Sequence, residues 1–286
     1  MRTWIAAALV MALVAGACAD AAAPGDRETA SGDRIDHPTG SRDVVLRLAF
    51  EGGYVPADHA FTSPPSFVLY GDGTVVTPGV QIMIYPAPSL PAIIVREVGE
   101  DGVQALLRRA LEAGLGERDL GVEDVGRPSV TDLPTAVFTL SAKGRTTVAR
   151  VYALDVDDAP GLTDAQRELR RRLARLAAHL TDLSWLPQGS VGDERLYLGE
   201  AARLLVAPYR PDPQLPQRPV DWPLAIDLGG AGREVGGASR CLVVEGEDWA
   251  RLREVAGSTN QLTPWVHDGK RYSIEIRPLL PDESGC

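Results

Sequence analysis

From Asp43 onward the sequence is a succession of short apolar runs separated by turn residues, and this pattern limits the fold more than any other feature. The stretch "SFVLYGDGTVVTPG" is typical of a β-hairpin, because two apolar runs are joined at Gly71-Asp72-Gly73. A second pair of runs, "TAVFTLSAKGRTTVARVYALD", turns at Lys143-Gly144. The pattern predicts antiparallel strands joined by tight turns.

Two segments have the apolar spacing of amphipathic helices. The first covers residues 100–113, and the second begins at Thr163, which stands three residues before Gln166 as in a capping box, and continues to residue 183. Single helices beside runs of antiparallel strands predict an α+β fold with the helices packed on one face of the sheets. The inward positions are Val103, Leu106, Leu107, Ala110 and Leu111 in the first helix, and Leu169, Leu173, Leu176 and Leu180 in the second.

The order strand, helix, strand, strand occurs in both halves of the chain. In the second half "ASRCLVVE" precedes a helix that opens at Gly246-Glu247-Asp248, and a hairpin turns at Asp268-Gly269. In the first half Gly99-Glu100-Asp101 opens the corresponding helix, with residues 116–134 as an insertion. A duplication and a chance similarity both explain this order. We expect an N-terminal module over residues 43–207 and a C-terminal module over residues 224–286.

Between the two predicted modules, residues 208–223 contain six prolines and must be largely extended. An ordered crossover between two parts of the fold is the expected role. The alternative is a recognition segment, because Pro213, Pro216 and Pro219 recur at three-residue spacing.

The N-terminal residues have the pattern of a secretory signal peptide. Arg2 precedes an apolar run over residues 4–15, which is shorter than the roughly 20 residues of a membrane span. The residues Ala15-Gly16-Ala17-Cys18 resemble the lipobox of bacterial lipoproteins. That resemblance implies removal of residues 1–17 and attachment of diacylglycerol to the sulfur of Cys18. The alternative is an ordinary signal peptide cut near Ala17.

The mature chain also resembles uncharacterised lipoproteins of high-GC Gram-positive bacteria, from the lipobox through the proline-rich crossover to "RPLLPDESGC". The resemblance implies anchoring to the outer face of the cytoplasmic membrane through lipidated Cys18, and it implies no activity. Residues 18–42 contain Ile35 as their single bulky aliphatic side chain. They predict a flexible tether, with a root-mean-square span of roughly 27 Å.

Once Cys18 is taken as a thioether, Cys241 and Cys286 remain in an exported chain, where thiols tend to be oxidised. We expect them to form a disulfide, with two unpaired thiols as the alternative. The chain-entropy model gives such a bond roughly 4 kcal/mol.

Catalytic and metal-binding motifs are absent from the sequence, so no catalytic residue, metal or cofactor is predicted. The net charge of −10 disfavours the nucleic-acid backbone as a partner. On the second helix, Arg167, Arg171 and Arg175 recur at four-residue spacing, with Arg170 and Arg172 alongside. A solvated face is one interpretation, and a contact with anionic lipid or an acidic envelope protein is the other.

The sequence therefore favours a membrane-anchored, non-catalytic binding or interaction module of the cell envelope. A small-ligand carrier is the second hypothesis, with a pocket lined by some of Trp185, Trp222 and Trp265. An envelope hydrolase is the third, which requires a Ser or carboxylate within hydrogen-bond reach of His59, His179 or His267. The sequence makes no prediction of the oligomeric state.

Overall fold

The computed structural model describes residues 34–55, 59–81, 83–156, 158 and 160–286. Within it, Ile35–Cys286 forms one compact unit. The predicted signal peptide, Cys18 and residues 19–33 of the predicted tether lie outside the described residues. Among the helices that are described, none is both long and apolar enough to cross a membrane.

The unit is α+β and contains two sheets. The strands are β1 Val44–Glu51, β2 Phe67–Tyr70, β3 Thr74–Pro78, β4 Ile93–Glu97, β5 Thr135–Ala142, β6 Arg145–Tyr152, β7 Arg195–Leu196, β8 Ala201–Pro208, β9 Val220–Asp221, β10 Arg233–Gly236, β11 Ser239–Glu245, β12 Trp265–His267 and β13 Lys270–Pro278. The helices are α1 His59–Thr62, α2 Glu100–Glu112, α3 Val122–Val125, α4 Asp164–Thr181 and α5 Gly246–Ala256, with a 3₁₀ turn at Leu183–Trp185.

The first sheet has seven antiparallel strands in the order β6-β5-β1-β2-β3-β4-β7. Successive side chains of a strand point to opposite faces. Leu46 and Leu48 of β1 belong to one hydrophobic cluster with side chains of α2 and α4, whereas Arg47 and Ala49 lie on the opposite face, which we call the outer face of the first sheet. The helical members of that cluster include Val103, Leu106, Leu107 and Ala110 of α2 and Leu173, Leu176 and Leu180 of α4.

Helix α4 begins with the expected capping box. The Gln166 backbone N–H donates to Thr163 Oγ1 at 3.3 Å, and the Thr163 N–H donates to Gln166 Oε1 at 2.9 Å. Arg170 differs from expectation, because it is fully buried instead of lying on the basic face. Its guanidinium donates to the carbonyl oxygens of Val156, Val125, Tyr152 and Ala153. Those backbone acceptors compensate for the desolvation of the charge.

The second sheet has six strands in the order β10-β11-β8-β13-β12-β9, with β9 and β12 parallel and the other neighbours antiparallel. Leu204 and Val206 of β8 join a hydrophobic cluster that includes Trp249 of α5. The alternate residues of β8, Arg203 and Leu205, therefore point to the opposite face, which we call the outer face of the second sheet.

The predicted module boundary at residue 207 does not coincide with the division between the sheets. Strand β8 lies before that boundary, and it pairs with β11 and β13 of the second sheet. The reason is that the apolar run of β8 completes the hydrogen-bond ladders of two later strands. Residues 209–219 therefore connect β8 to β9 within the second sheet and do not cross between the two sheets.

The described end of the predicted tether is packed on the fold. Ile35 is 7% exposed and belongs to the hydrophobic cluster of α2 and α4. Its N–H donates to Gln104 Oε1 at 2.8 Å, and its carbonyl accepts from Gln104 Nε2 at 2.9 Å. Any tether must therefore end before Ile35, and not at residue 42.

Candidate functional site

The segment 279–286 lies between the outer faces of the two sheets. Asp282 accepts hydrogen bonds from Arg47 Nη2 at 2.6 and 2.8 Å and from the Tyr70 hydroxyl at 2.6 Å, both on the first sheet. The next residue, Glu283, accepts two hydrogen bonds of 2.9 Å from Arg277 on β13 of the second sheet. Two consecutive carboxylates thus bind arginines of different sheets.

A disulfide between Cys241 of β11 and Cys286 holds the end of this segment. It is the pair that cysteine usage predicts. Arg203 of β8 also holds the segment, because its Nε donates to the Gly285 carbonyl at 3.0 Å. Burial, and then the charge of Arg277, lower the pKa of Arg203.

Two tyrosines at this junction are held in the neutral form. The pKa of Tyr70 is raised far above its usual value, first by burial and then by its hydrogen bond to the Asp282 carboxylate. Burial raises the pKa of Tyr197 to about 12, and its hydroxyl donates to the Leu279 carbonyl at 2.7 Å. Both phenols act as hydrogen-bond donors at neutral pH.

Beside segment 279–286, a cleft of about 550 Å³ opens over the outer face of the first sheet. Its floor comes from Arg47 and Ala49 of β1 and from Val137 and Thr139 of β5. Its walls combine apolar and polar side chains, namely Phe50, Val55, Pro64, Pro65, Glu51, His59, Ser63 and Glu283. Ligand pockets have this size and this mixture of apolar surface with a few polar groups.

Arg47, which lines the cleft, has a hydrogen-bond donor that is buried and unused. Its Nη2 is engaged by Asp282, whereas its Nε is buried and has no hydrogen-bond partner among the described residues. A buried donor without an acceptor costs roughly 1 to 3 kcal/mol. Nε itself is closed to solvent, so a ligand in the cleft reaches it only if the Arg47 side chain moves.

The cleft also contains a serine within hydrogen-bond distance of a histidine, which the hydrolase hypothesis requires. Among the described residues this is the one such pair. Ser63 Oγ lies 3.0 Å from His59 Nδ1 and 2.9 Å from Nε2. An oxygen in the ring plane at both distances would stand only about 2 Å from Cε1, which is a collision. The oxygen therefore lies over the ring face, where neither nitrogen lone pair points, and this arrangement does not serve proton transfer.

The other described histidines have different surroundings. The His179 ring packs on Trp185 at 5.1 Å between centroids, and His267 Nε2 lies 3.7 Å from carboxylate oxygens of Asp227 and Asp268. The described residues contain no group of three or more side chains suited to hold a metal ion.

The three tryptophans of the carrier hypothesis do not line the cleft. Trp222 and Trp265 are buried in the second sheet's hydrophobic cluster, with their rings edge to face at 5.9 Å. Trp185 packs beneath the guanidinium of Arg109 at 5.2 Å. The three tryptophans pack in or against the hydrophobic clusters, so they do not form the lining of an open pocket.

The arginines of α4 are partly neutralised by their own helix. Arg171 and Arg175 both reach Glu168, at 2.9 and 3.4 Å, and Arg167 lies 3.5 Å from Asp164. Hydrogen bonding from Arg171 lowers the pKa of Glu168 and keeps it ionised. The face is therefore less basic than the arginine spacing alone indicates.

A second surface feature was missed by sequence reasoning, which placed only an irregular loop over residues 78–91. Four large apolar side chains in this loop face solvent, with exposures of 93% for Val80, 99% for Met83, 55% for Ile84 and 65% for Tyr85. Residues 73–95 contain no charged residue, and that gap was the available signal. We call residues 79–81 and 83–86 the apolar loop.

No protein-family model, curated protein or solved structure matches this chain. The geometry of the cleft and of the surface is therefore what supports a function.

Proposed function

We propose that this protein is a lipid-anchored binding module of the cell envelope, which holds a ligand or a segment of an envelope partner in the cleft over the first sheet. The anchor is lipidated Cys18, which places the unit at the outer face of the cytoplasmic membrane. The cleft is the observation that carries the proposal, since its lining combines apolar residues with the polar side chains of Arg47, Glu51 and His59.

The chemistry of the cleft defines the class of ligand. Arg47 of the floor carries only hydrogen-bond donors, and a carboxylate or a carbonyl is the acceptor that matches them. Phe50, Val55 and Val137 favour an apolar group within a few ångströms of that acceptor. A peptide segment with an acidic or amide group beside an apolar side chain has this combination, as does a small amphipathic molecule.

A binding test uses the intact protein purified from its own membrane, with copurifying proteins and small molecules identified by mass spectrometry. The variant Thr139→Arg fills the floor of the cleft and should abolish retention of the ligand. The matched control Thr146→Arg adds the same side chain at an exposed position of β6 outside the cleft. Equal retention by both variants would contradict the proposed location.

The anchor has a separate test. Mass spectrometry of the native N-terminus should find acyl chains on Cys18. A chain that starts unmodified at Ala19 or later in its native host would show that the lipobox is not used.

Hydrolysis is the second candidate function, because Ser63 and His59 share the cleft. A rotation of the imidazole that brings one nitrogen into line with Oγ would create a nucleophile and a base. A fluorophosphonate probe should leave Ser63 unlabelled if the protein only binds. Labelling that disappears in Ser63→Ala would favour the hydrolase instead.

We also propose that the two halves are related modules with helices on one face. The order β4-α2-β5-β6 resembles the order β11-α5-β12-β13, and α3 falls within residues 116–134, the expected insertion. Three strands separate β4 from β5 in the first sheet, however, whereas β8 and β13 separate β11 from β12 in the second. Superposition of β5-β6 on β12-β13 should bring α2 onto α5, and a mismatch would refute the relation.

A further inference from the structure

We propose that the apolar loop enters the interfacial region of the lipid bilayer and orients the folded unit on the membrane. This inference rests on the proposed lipid anchor for the proximity of the bilayer. The loop itself provides the contact. Val80 and Met83 are almost completely exposed, and Ile84 and Tyr85 more than half exposed, in a protein with a net charge of −10.

The loop projects from a base that is held by hydrogen bonds. The Gly79 N–H and Gln81 Nε2 both donate to the Ala92 carbonyl, at 2.9 and 3.1 Å. At the other end, the Gln261 N–H donates to the Ala87 carbonyl at 2.8 Å, and the Ser89 N–H donates to the Thr259 carbonyl at 3.2 Å. The loop is thus fixed to both sheets' modules at its ends while its apolar side chains stay in solvent.

One segment that contacts the loop is uncharged as well. Residues 255–266, which receive the loop at the bridge between Pro88 and Asn260, contain no charged residue. Two uncharged segments that are far apart in the sequence therefore meet at one place on an acidic protein. Neither segment adds like-charge repulsion to the approach of an anionic lipid surface, and neither requires an ionised side chain to be desolvated.

The anchor position is compatible with this contact. Cys18 precedes Ile35 by 35 − 18 = 17 positions, and a chain of that length spans at most about 60 Å. Residues 38–40 lie against Gly71, at the end of β3 opposite to the loop. Adding the chain lengths from residue 35 to 39 and from 71 to 79 gives no more than about 45 Å. The bilayer that holds Cys18 is therefore within reach of the loop.

A bilayer fits the loop better than a protein partner does. The four side chains are 55 to 99% exposed, whereas the buried centre of a protein interface is a packed patch with pockets. Aliphatic side chains beside one tyrosine match the gradient from acyl chains to headgroups, where tyrosine is enriched. A partner protein or a second copy of this chain would bury the same residues, and the experiment separates these outcomes.

The test uses the full chain, acylated and reconstituted in phosphatidylcholine vesicles, with Met83→Cys carrying an environment-sensitive NBD fluorophore. We expect a blue shift of emission and quenching by nitroxide lipids labelled near the headgroup. The control is Thr146→Cys at an exposed position of β6, which should remain in water. A second measurement uses the mature chain with Cys18→Ser, whose partition into the same vesicles should fall at least tenfold in Ile84→Asp and remain unchanged in Thr146→Asp.

Each other outcome has a definite meaning. A fluorophore at position 83 that stays in water on an acylated, vesicle-bound chain overturns the inference and leaves the proposed anchor intact. Shielding of the fluorophore from water that requires no lipid and grows with protein concentration indicates a second copy of this chain. Shielding that requires a membrane protein of the host indicates a protein partner. Both overturn the inference. Partition of the Cys18→Ser chain through the loop, together with a native chain that lacks acyl groups, supports the loop and refutes the anchor.

Discussion

Replacement of Glu283 by Gln should destabilise the protein far more than an ordinary loss of one surface charge. Glu283 binds Arg277, whose side chain is 1% exposed, through two hydrogen bonds of 2.9 Å, and it also accepts the N–H of Leu280. The substitution keeps the size of the side chain and removes its charge. Both carboxylate oxygens of Glu283 accept hydrogen bonds, so the N–H₂ group of glutamine must face an N–H donor of Arg277.

The magnitude follows from the burial of the pair. Opposite charges about 4 Å apart at an effective dielectric constant of 20 attract by about 4 kcal/mol. Removing one partner of a buried pair costs 3 to 5 kcal/mol in general. The nearby guanidinium of Arg203, whose pKa is already lowered by burial and by Arg277, adds repulsion once the carboxylate is gone. We expect a loss of about 3 to 4 kcal/mol, which in a protein of this size lowers Tm by about 10 °C.

The matched control is Glu168→Gln on α4, which removes a carboxylate from Arg171 and Arg175 at an exposed site. Exposed ion pairs contribute about 0 to 1 kcal/mol, so its Tm should fall by about 2 °C at most. Thermal unfolding followed by near-ultraviolet circular dichroism and urea unfolding give both values. Adding Arg277→Met to the Glu283→Gln variant should restore part of the loss, because it removes the unpaired buried charge.

Equal destabilisation by the two Glu→Gln substitutions would refute this reasoning. It would mean that segment 279–286 is open to water in solution and that Arg277 is solvated without its partner.

Three further outcomes are expected. Reduction of the disulfide should lower Tm by about 10 °C, since a closed loop of 45 positions contributes roughly 4 kcal/mol, and a change under about 2 °C would contradict this. Above pH 10 the unfolded chain ionises its tyrosines while Tyr70 and Tyr197 stay protonated in the fold, so stability is complete below pH 10 and falls above it by up to about 1.4 kcal/mol per pH unit for each. Urea unfolding between pH 8 and 11.5 measures this slope, which Tyr70→Phe should reduce. Changing Arg167, Arg171 and Arg175 of α4 to Glu should leave the fold intact, because the inward leucines supply the packing, and should weaken association with anionic vesicles and its salt dependence. A folded triple variant with unchanged binding would identify the arginines as a solvated face.

The hairpins were predictable because their signals are local. Lys143-Gly144 and Asp268-Gly269 both occupy positive φ, at 52° and 71° and at 47° and 72°, as a tight hairpin turn requires. The same holds for the capping box of α4, whose two hydrogen bonds join residues three positions apart. Turn glycines and capping residues favour a particular backbone conformation locally, whatever the rest of the fold is.

The junction between the sheets was not predictable, because it depends on partners that are distant in the sequence. Arg47 and Asp282 are 235 positions apart, and Arg277 and Phe61, whose carbonyl accepts from Arg277 Nε, are 216 apart. A charged residue carries no local sign that an acceptor will meet it in the interior. The arginine spacing of α4 therefore predicts Arg170 on the basic face, although backbone carbonyl oxygens bind it in the interior. Ile35 did carry a signal, since a lone bulky aliphatic side chain in a polar stretch marks a place where the chain packs.

The position of segment 279–286 has a consequence for biogenesis. Both sheets are complete in sequence before this segment is synthesised, and each has its own hydrophobic cluster, so each is able to gather its strands as the chain emerges. Until the segment arrives, Arg47, Arg203 and Arg277 lack the acceptors that Asp282, Gly285 and Glu283 provide. During that interval the outer faces of the sheets present cations without their partners in segment 279–286, together with open apolar surface.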